Sequence, residues 1–498
     1  MLGHKDRDRP VMRLPRVQKS TAASLLVACS VTCLMACSVA PDFQRPEAPI
    51  PAAFRAESLE AAEARPPSRW WEAFGSDELN ALELTALANN RDVQAAISRI
   101  AATSAQSEVA GSSLMPLVQA VATNQRRAPK GGGMATVTGA GQQSGGSDST
   151  YQAGLQASYE IDLWGKNREA MASALANAEA SVFDREVVAL TLTADIANGY
   201  FQYLSLNDRI VVANNNIKNM REVQKTIAKR ITFGEGTELE RAQQRSVLAQ
   251  AETIVPVLEL QRDQAFNRIA ILLGRAPENL TITAKTLEGL KTPVVKPGLP
   301  SDLLQRRPDI QKAEATLIGA NADIGVARAR LLPTFGLTAQ MGIGSTILKL
   351  AISPAGFIYQ AAASLTETLF DGGKIANEIA FAEAHYREMV QIYQKAVLQA
   401  LQDVDNALAS VHWTTIQKQA QAQAVSYSRQ SHELSAKAFK VGTTDYLSVL
   451  ESDRTRFTEE DKDVLAKQAR LIASVDLFKA LGGGFELAEK AAEPVAVP

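Results

Sequence analysis

The sequence is poor in the residue types from which most catalytic and metal sites are built. It contains 3 cysteines and 4 histidines in 498 residues, and all three cysteines precede residue 38. Apart from His4, the histidines are His385, His412 and His432, whose spacing suits no metal-binding pair on a helix. Neither a G-x-S-x-G nucleophile motif nor a phosphate-binding loop occurs. These absences argue against an enzyme, and we expect no metal and no catalytic cofactor.

Neither positive nor negative charge is in large excess, and aromatic residues are scarce. The formal net charge of -2 leaves no basic surface of the kind that binding to phosphates requires, so no nucleic-acid partner is expected. Aromatic residues make up 6% of the chain although 46% is hydrophobic. Much of the apolar share is alanine, which favours closely packed helices over a large aromatic core.

The N-terminal apolar stretch is too short to span a bilayer. It runs from about Thr21 to Ala36, after basic residues such as Arg13 and Lys19, and is typical of a secretory signal. Leu34-Met35-Ala36-Cys37 resembles the lipobox of bacterial lipoproteins, in which the cysteine is acylated and the preceding bond is cleaved. We therefore expect residues 1–36 to be a signal peptide and Cys37 to be a lipid anchor, carrying palmitate.

Two alternatives remain for this segment. A second lipobox-like sequence ends at Cys29 after a shorter apolar run, and an ordinary signal peptide with incidental cysteines is the other interpretation. Translation from Met1 or from Met12 is compatible with the pattern. Ser38 follows the expected anchor, and by resemblance to enteric lipoproteins this implies sorting to the outer membrane.

The chain contains two copies of one unit. Early matches lie 217 positions apart: Leu114-Met115-Pro116 with Leu331-Leu332-Pro333, and Asp92-Val93-Gln94 with Asp309-Ile310-Gln311. Later matches lie 208 positions apart: Gly165-Lys166 with Gly373-Lys374, Gly234 with Gly442, Leu239 with Leu447, and Leu273-Gly274 with Leu481-Gly482. Such fixed offsets indicate a tandem repeat. A Gly/Ser-rich loop within 131–146 accounts for the longer first copy.

Four segments alternate between apolar and polar residues. Alternation is clear at about 151–163 and 334–343, and weaker at about 117–128 and 356–370. It predicts four strands in two hairpins, either half-buried over a soluble core or, in an exported protein, apolar toward lipid and polar toward water. Open strand edges are excluded from lipid, and the smallest bacterial barrels have about eight strands. Three chains would supply twelve strands, so we predict a homotrimer.

The remaining sequence predicts long helices. They are expected at about 77–111, at about 165–231 with its return helix at about 238–273, and at about 373–439 with its return helix at about 445–481. The long ones would each extend about 100 Å. Pro256 predicts a kink in the first return helix, whereas its counterpart is Val464.

A heptad pattern runs along both long helices and predicts coiled-coil packing. In the first copy it comprises Ala189, Ile196, Tyr203, Ile210 and Ile217, with Leu192, Gly199, Leu206, Ala213, Met220 and Ile227 at the companion position. In the second copy it comprises Val397, Val404, Val411 and Val425, and is interrupted by Lys418. The predicted organisation is a lipidated segment 37–76, repeat 1 at 77–274, a linker 275–300, repeat 2 at 301–482 and a tail 483–498.

Several motifs together are similar to those of one known family. They are Trp70-Trp71-Glu72-Ala73-Phe74-Gly75, Ala88-Asn89-Asn90, Asp162-Leu163-Trp164-Gly165, Arg307-Pro308-Asp309-Ile310, Phe370-Asp371-Gly372-Gly373 and Leu481-Gly482-Gly483-Gly484. From about Cys37 to Phe485 the chain resembles the TolC-like outer-membrane efflux proteins, specifically their NodT-type lipoprotein branch. The implied fold class is α+β, mostly α: a trimer with a 12-stranded transmembrane β-barrel, four strands per chain, continuous with an α-helical coiled-coil tunnel.

The resemblance also implies a function, partners and a site. The protein would be the outer-membrane exit duct of a tripartite efflux pump, extending into the periplasm and working with a periplasmic adaptor and an inner-membrane pump of the resistance-nodulation-division type. The family's tip motif matches 442–451, which places a periplasmic gate at Leu447 and Glu451, with Leu239 and Gln243 as first-copy counterparts. Relatives often have Asp where this chain has Glu451.

Other interpretations stay open at the level of sequence. Leu447 could be a coiled-coil core residue and Glu451 part of a solvated helix face. A purely structural coiled-coil lipoprotein or a passive porin would share some of these features. The cargo, which could be antibiotics, organic solvents, metal ions or signalling molecules, depends on the pump and is not encoded here.

Overall fold

The computed structural model describes residues 39–127, with gaps at 52 and 56–66, and residues 148–295, 297–345 and 348–485. The signal peptide, Cys37 and the Gly/Ser-rich loop lie outside these residues. The described residues divide into two compact units: a sheet unit within 39–42, 108–173 and 321–384, and a helical unit within 43–107, 174–320 and 385–485. No described helix combines the length and apolarity needed to cross a membrane.

The described chain is mostly helical with one four-stranded sheet, so the predicted α+β class is confirmed. The elements are α1 (Asp77–Asn89), α2 (Arg91–Ser112), β1 (Leu117–Arg127), β2 (Asp148–Ile161), α3 (Lys166–Thr232), α4 (Glu238–Glu252), α5 (Ile254–Leu272), α6 (Leu303–Arg306), α7 (Pro308–Ala329), β3 (Thr334–Ser345), α8 (Leu348–Ala351), β4 (Phe357–Thr366), α9 (Lys374–Lys440) and α10 (Tyr446–Ala480). Short 3-10 turns cover Trp70–Phe74, Pro277–Asn279, Pro300–Asp302 and Pro354–Gly356.

The four strands form an antiparallel sheet in chain order, with β1 and β4 at its edges. Leu155 pairs with Met341, and Met341 pairs with Tyr359. Directly paired residues project to the same side of a sheet, so the apolar positions of β2, β3 and β4 share one face. These three side chains are largely exposed in the single chain. The opposite face carries mainly Gln, Ser, Thr and Gly, so the sheet has two chemically different faces.

Three strand ends differ from the predicted ones. The alternation predicts an end near 163, whereas β2 ends at Ile161, because the Asp162 carboxylate accepts a hydrogen bond from Asn167 N (3.1 Å) and caps the next helix. Likewise β4 ends at Thr366 rather than near 370, ahead of Asp371, whose carboxylate caps α9. The third strand extends two residues beyond its predicted end near 343.

The helix predicted at about 77–111 is two helices, which corrects that assignment. The break is at Asn90, whose side-chain oxygen accepts hydrogen bonds from Asp92 N (2.8 Å) and Val93 N (3.1 Å) and so caps α2. Its side-chain amide donates to the Leu272 carbonyl at 2.9 Å. Asn90 therefore links the start of α2 to the end of α5 by hydrogen bonds.

The second repeat forms the same joint with different chemistry. Arg307 stands where the first copy has Asn90, and its guanidinium donates to the Ala480 carbonyl at 3.2 Å. It also pairs with Asp309 at 2.6 Å and with Asp403 at 3.0 Å. Gly482 adjoins this joint at φ 90°, and a Cβ there would meet the Arg306 carbonyl oxygen at 2.1 Å. Only glycine fits that position.

The return helix of the first copy is also interrupted, but not at the expected residue. The sequence predicts a kink at Pro256. The interruption instead lies three residues earlier, at Thr253, between α4 and α5. Proline has no N–H to donate to the carbonyl four residues earlier, so the helix is interrupted before the proline and Pro256 falls in the first turn of α5. The second copy has Val464 at this point, and α10 is continuous.

The core of the helical unit is centred on the Trp-Trp motif. Trp70 stacks on Phe478 with ring centroids 5.2 Å apart, and Phe74 contacts Phe201 at 5.1 Å. These side chains are buried, and their cluster includes residues from both repeats. Burial of four aromatic side chains contributes several kcal/mol of hydrophobic stabilisation. The motif thus binds the two repeats into one folded unit.

Candidate functional site

The predicted gate residues follow the turns that connect each long helix to its return helix. Gly234 and Gly442 occupy equivalent places in the two turns, and both have φ 76°. After Gly442, Asp445 caps α10 by accepting a hydrogen bond from Ser448 N at 2.8 Å, which lowers the pKa of its carboxyl group. In the first copy, Thr237 caps α4 in a capping box. Each cap fixes the direction in which the next helix begins.

Leu447 and Glu451 lie together at the start of α10. They are four residues apart and therefore share one helix face. Leu447 is 63% exposed, and Glu451 is also exposed. An open cleft of about 480 Å³ adjoins them, lined also by Asp445, Ser448 and other small polar side chains: Ser428, Ser431, Ser452 and Thr455. In the single chain, Leu447 is therefore a surface residue and not part of the buried seam.

The first-copy counterparts are placed in the same way but lack the charge. Leu239 is 66% exposed on the first turn of α4, and Gln243 is exposed one turn later. At the position of Glu451 only the second copy carries a carboxylate, although Glu238 and Glu240 lie in the first turn of α4. The structure thus places all four sequence-predicted residues at the helix starts, as two matched pairs.

Neighbouring residues hold α10 in place through contacts with the first repeat that the sequence pattern did not predict. Tyr446 and Val449 are buried in a cluster with Ile227 of the first repeat. The Tyr446 hydroxyl hydrogen-bonds the Gln244 side chain, and burial raises the pKa of Tyr446 to about 12. Gln244 in turn donates to the Met220 carbonyl at 2.7 Å. Leu447 and Glu451 therefore project from a helix start that is tied to the other repeat.

A buried charged cluster begins two residues beyond Glu451 in α10. Asp453 is buried and pairs with Arg456 at 2.6 Å, while His432 Nδ1 is 3.7 Å from Asp453 Oδ1. Burial lowers the pKa of His432 and outweighs the opposing effect of Asp453. The spacing of the histidines along the sequence predicted no metal-binding pair and did not predict this cluster. Among the described residues, no group of His, Cys, Asp and Glu is arranged to hold a metal ion.

Comparison with known proteins identifies the family. The sequence profile of the family described as Outer membrane efflux protein matches residues 84–275 and 299–483. The chain is 35% identical over 478 residues to the pyoverdine export outer membrane protein OpmQ of Pseudomonas putida, covering 95% of this chain and 99% of that protein. It is 30% identical over 477 residues to the antibiotic efflux pump outer membrane protein ArpC of Pseudomonas putida, covering 93% and 96%.

A solved structure agrees with this result. The open state of the MtrE outer membrane channel of Neisseria gonorrhoeae superposes with a TM-score of 0.81 at 27% identity, covering 90% of this chain and 98% of that one. The resemblance to the TolC-like outer-membrane efflux proteins, the α+β, mostly α, class, the outer-membrane location and the non-enzymatic function are thereby confirmed. The chain belongs to the outer membrane efflux protein family and is a TolC-like outer-membrane efflux channel.

Proposed function

We propose that three copies of this chain form a gated exit duct, with a barrel of twelve strands in the outer membrane. The observation that carries the proposal is the two-faced sheet, whose exposed apolar face has the chemistry of a lipid-facing surface. The edge strands β1 and β4 would leave backbone groups unsatisfied in lipid. Pairing β4 of one copy with β1 of the next removes both edges and gives twelve strands.

The lipid anchor is supported by the path of the N-terminal segment. The Asn321 side chain donates to the Pro41 carbonyl at 2.8 Å. A Cβ on Gly325 would come within 2.6 Å of Ala40 Cβ and 2.9 Å of Glu169 Cγ. Ala40 and Pro41 thus pack against α7 and the first turn of α3, within the sheet unit. An acyl chain on Cys37 would reach the membrane surface beside the proposed barrel.

The gate would form where three copies of Leu447 and Glu451 meet on the threefold axis. A ring of leucines resists wetting, and three carboxylates close together repel one another and attract cations. The exposure of Leu447 in the single chain, despite its apolar character, supports a role in contacts between copies. The solved open state of the MtrE channel is in keeping with a channel that opens and closes.

The proposed partners are a periplasmic adaptor and an inner-membrane pump of the resistance-nodulation-division type. The chain holds no nucleotide-binding motif, so energy for export has to come from another protein. ArpC is named as part of an antibiotic efflux pump and OpmQ as a pyoverdine exporter. The cargo delivered to this chain would accordingly be a small molecule.

Gel electrophoresis without heating tests the assembly. Outer-membrane fractions should contain a heat-modifiable trimer that chemical cross-linking captures at three times the chain mass. A helical dimer in the soluble fraction would contradict the proposal and favour a structural coiled-coil lipoprotein. Large, ungated conductance in planar bilayers would favour a passive porin instead.

Metabolic labelling tests the anchor separately. Radioactive palmitate should label the wild-type protein and not the Cys37→Ser variant, while Cys29→Ser should still be labelled. Equal labelling of Cys37→Ser would overturn the anchor. Deleting the gene and comparing pyoverdine secretion with sensitivity to antibiotics, dyes and metal ions would then identify the cargo.

A further inference from the structure

One row of the sheet carries the same polar side chain on every strand. Gln119 of β1 pairs with Gln156 of β2, Gln156 pairs with Gln340 of β3, and Gln340 pairs with Gln360 of β4. Paired residues project to the same side, so the four amides form one continuous row across the polar face. We call Gln119, Gln156, Gln340 and Gln360 the glutamine row.

The neighbouring positions on the two central strands are smaller. On one side of the row, Gly154 faces Gly342, and a Cβ on Gly154 would lie 2.4 Å from the Met341 carbonyl oxygen. On the other side, Ser158 faces Thr338. Gln156 and Gln340 therefore reach further from the sheet than the residues directly above and below them. At this level of β2 and β3, the amide groups are the outermost part of the polar face.

The amide is an uncharged group that both donates and accepts hydrogen bonds. A pore lined by amides gives little electrostatic preference for either ion sign, whereas rings of carboxylates or ammonium groups select by charge. Opposite-strand neighbours of this kind also lie close enough to hydrogen-bond one another along the row. Such a row can hold its shape and still exchange hydrogen bonds with a passing polar solute.

We propose that the glutamine rows of three copies form a specificity-determining band on the inner surface of the barrel. This inference rests on the trimeric barrel proposed above. Barrel strands tilt by about 40°, so each row climbs obliquely and the twelve amides form a band instead of a flat ring. The band admits polar solutes of either charge and discriminates among them by hydrogen bonding.

Charge substitution within one strand tests the band. Gln156→Glu places three carboxylates in the band of a trimer, and the double variant Gln156→Glu/Gln340→Glu places six. Gln152→Glu is the matched control, because it lies on the same strand and the same face, about 13 Å along β2. Reversal potentials are measured in planar bilayers across a KCl gradient. The wild type and each variant are measured with the natural tip and again with Glu451→Ala added to open the tip.

We expect the double variant to raise the K⁺/Cl⁻ permeability ratio about threefold or more, and Gln152→Glu to raise it less than half as much. Equal shifts from residues 152 and 156, or no shift in conducting channels, would overturn the band. A protein that forms no trimer and carries no current would instead contradict the barrel itself.

Export in whole cells gives a second readout that does not depend on the tip variant. In cells that also carry the cognate pump, the double variant should slow efflux of an anionic dye relative to a cationic dye. An unchanged ratio of the two efflux rates would overturn the band, even if Glu451→Ala fails to open the channel in bilayers.

Discussion

Lys418 Nζ in α9 lies 2.7 Å from Asp463 Oδ1 in α10, and this ion pair replaces an apolar contact of the first repeat. The residues 208 positions earlier are Ile210 and Val255, which belong to a hydrophobic cluster. Burial alone would raise the pKa of Asp463, but the hydrogen bond from Lys418 and the charge of Lys467 hold it below its ordinary value. The interruption of the heptad pattern at Lys418 is therefore a paired charge between packed helices.

Replacing only one member of this pair should destabilise the protein. Lys418→Ile leaves Asp463 with Lys467 at 3.2 Å as its remaining partner and should cost about 2 kcal/mol. The double variant Lys418→Ile/Asp463→Val copies the first repeat and should be at least as stable as the wild type. Thermal unfolding followed by helical circular dichroism measures both. Additive effects of the two single substitutions would contradict a direct interaction.

Glu83 should limit stability at neutral pH. Its side chain is buried, and within the described part of the chain neither carboxylate oxygen has a hydrogen-bond partner. Burial raises the pKa of Glu83 well above the ordinary 4.5. The folded protein is therefore most stable below pH 4.5, where Glu83 is protonated, and it loses stability as the pH rises from 4.5 toward the raised pKa.

Glu83→Leu should therefore stabilise the protein by about 2 kcal/mol at pH 7.5, with a smaller gain at pH 4.5. Unfolding midpoints at the two pH values measure this difference. Glu72→Leu, at an exposed position, serves as the control. A gain from Glu83→Leu that is the same at both pH values would show that the carboxyl group is not the cause.

His432 should make the tip region sensitive to acid. Its pKa is lowered mainly by burial, with Asp453, Arg456 and Glu460 as the charged groups around it. A histidine with a lowered folded pKa binds fewer protons than the unfolded chain, so stability falls as pH decreases through and below about 6.5. His432→Gln copies Gln224 of the first repeat and should reduce the loss of stability between pH 7.5 and 5.5. An identical loss in both proteins would contradict this assignment.

The joint at Arg307 should contribute more stability than the equivalent joint at Asn90. Arg307→Ala leaves two aspartates without their buried partner and should cost about 4 kcal/mol. Asn90→Ala removes an uncharged amide and should cost about 2 kcal/mol. Arg307→Lys should recover part of the loss, since it keeps the charge but not the bidentate geometry. The yield of unheated trimer and its melting temperature measure all three; equal costs at the two joints would contradict the comparison.

The sequence predicted the features that depend on local patterns. Period-two alternation located the sheet, and repeat offsets placed Leu239 and Leu447 at equivalent helix starts. The helix break at Asn90 escaped prediction because it depends on the Leu272 carbonyl, 182 positions away in the chain. The exposure of Leu447 was also hidden, because a leucine in a helix pattern looks the same whether it packs inside a chain or projects from it.

We propose that Leu447 and Glu451 close the channel, and single-channel conductance in planar bilayers tests this proposal most directly. Wild-type channels should conduct poorly, and Glu451→Ala or Leu447→Ala should increase conductance several-fold, because each replaces a ring of large side chains at the tip with small ones and Leu447→Ala also weakens dewetting. Gln243→Ala, the equivalent substitution in the first repeat, should have a much smaller effect. Conductance of Glu451→Ala equal to that of the wild type would contradict the gate.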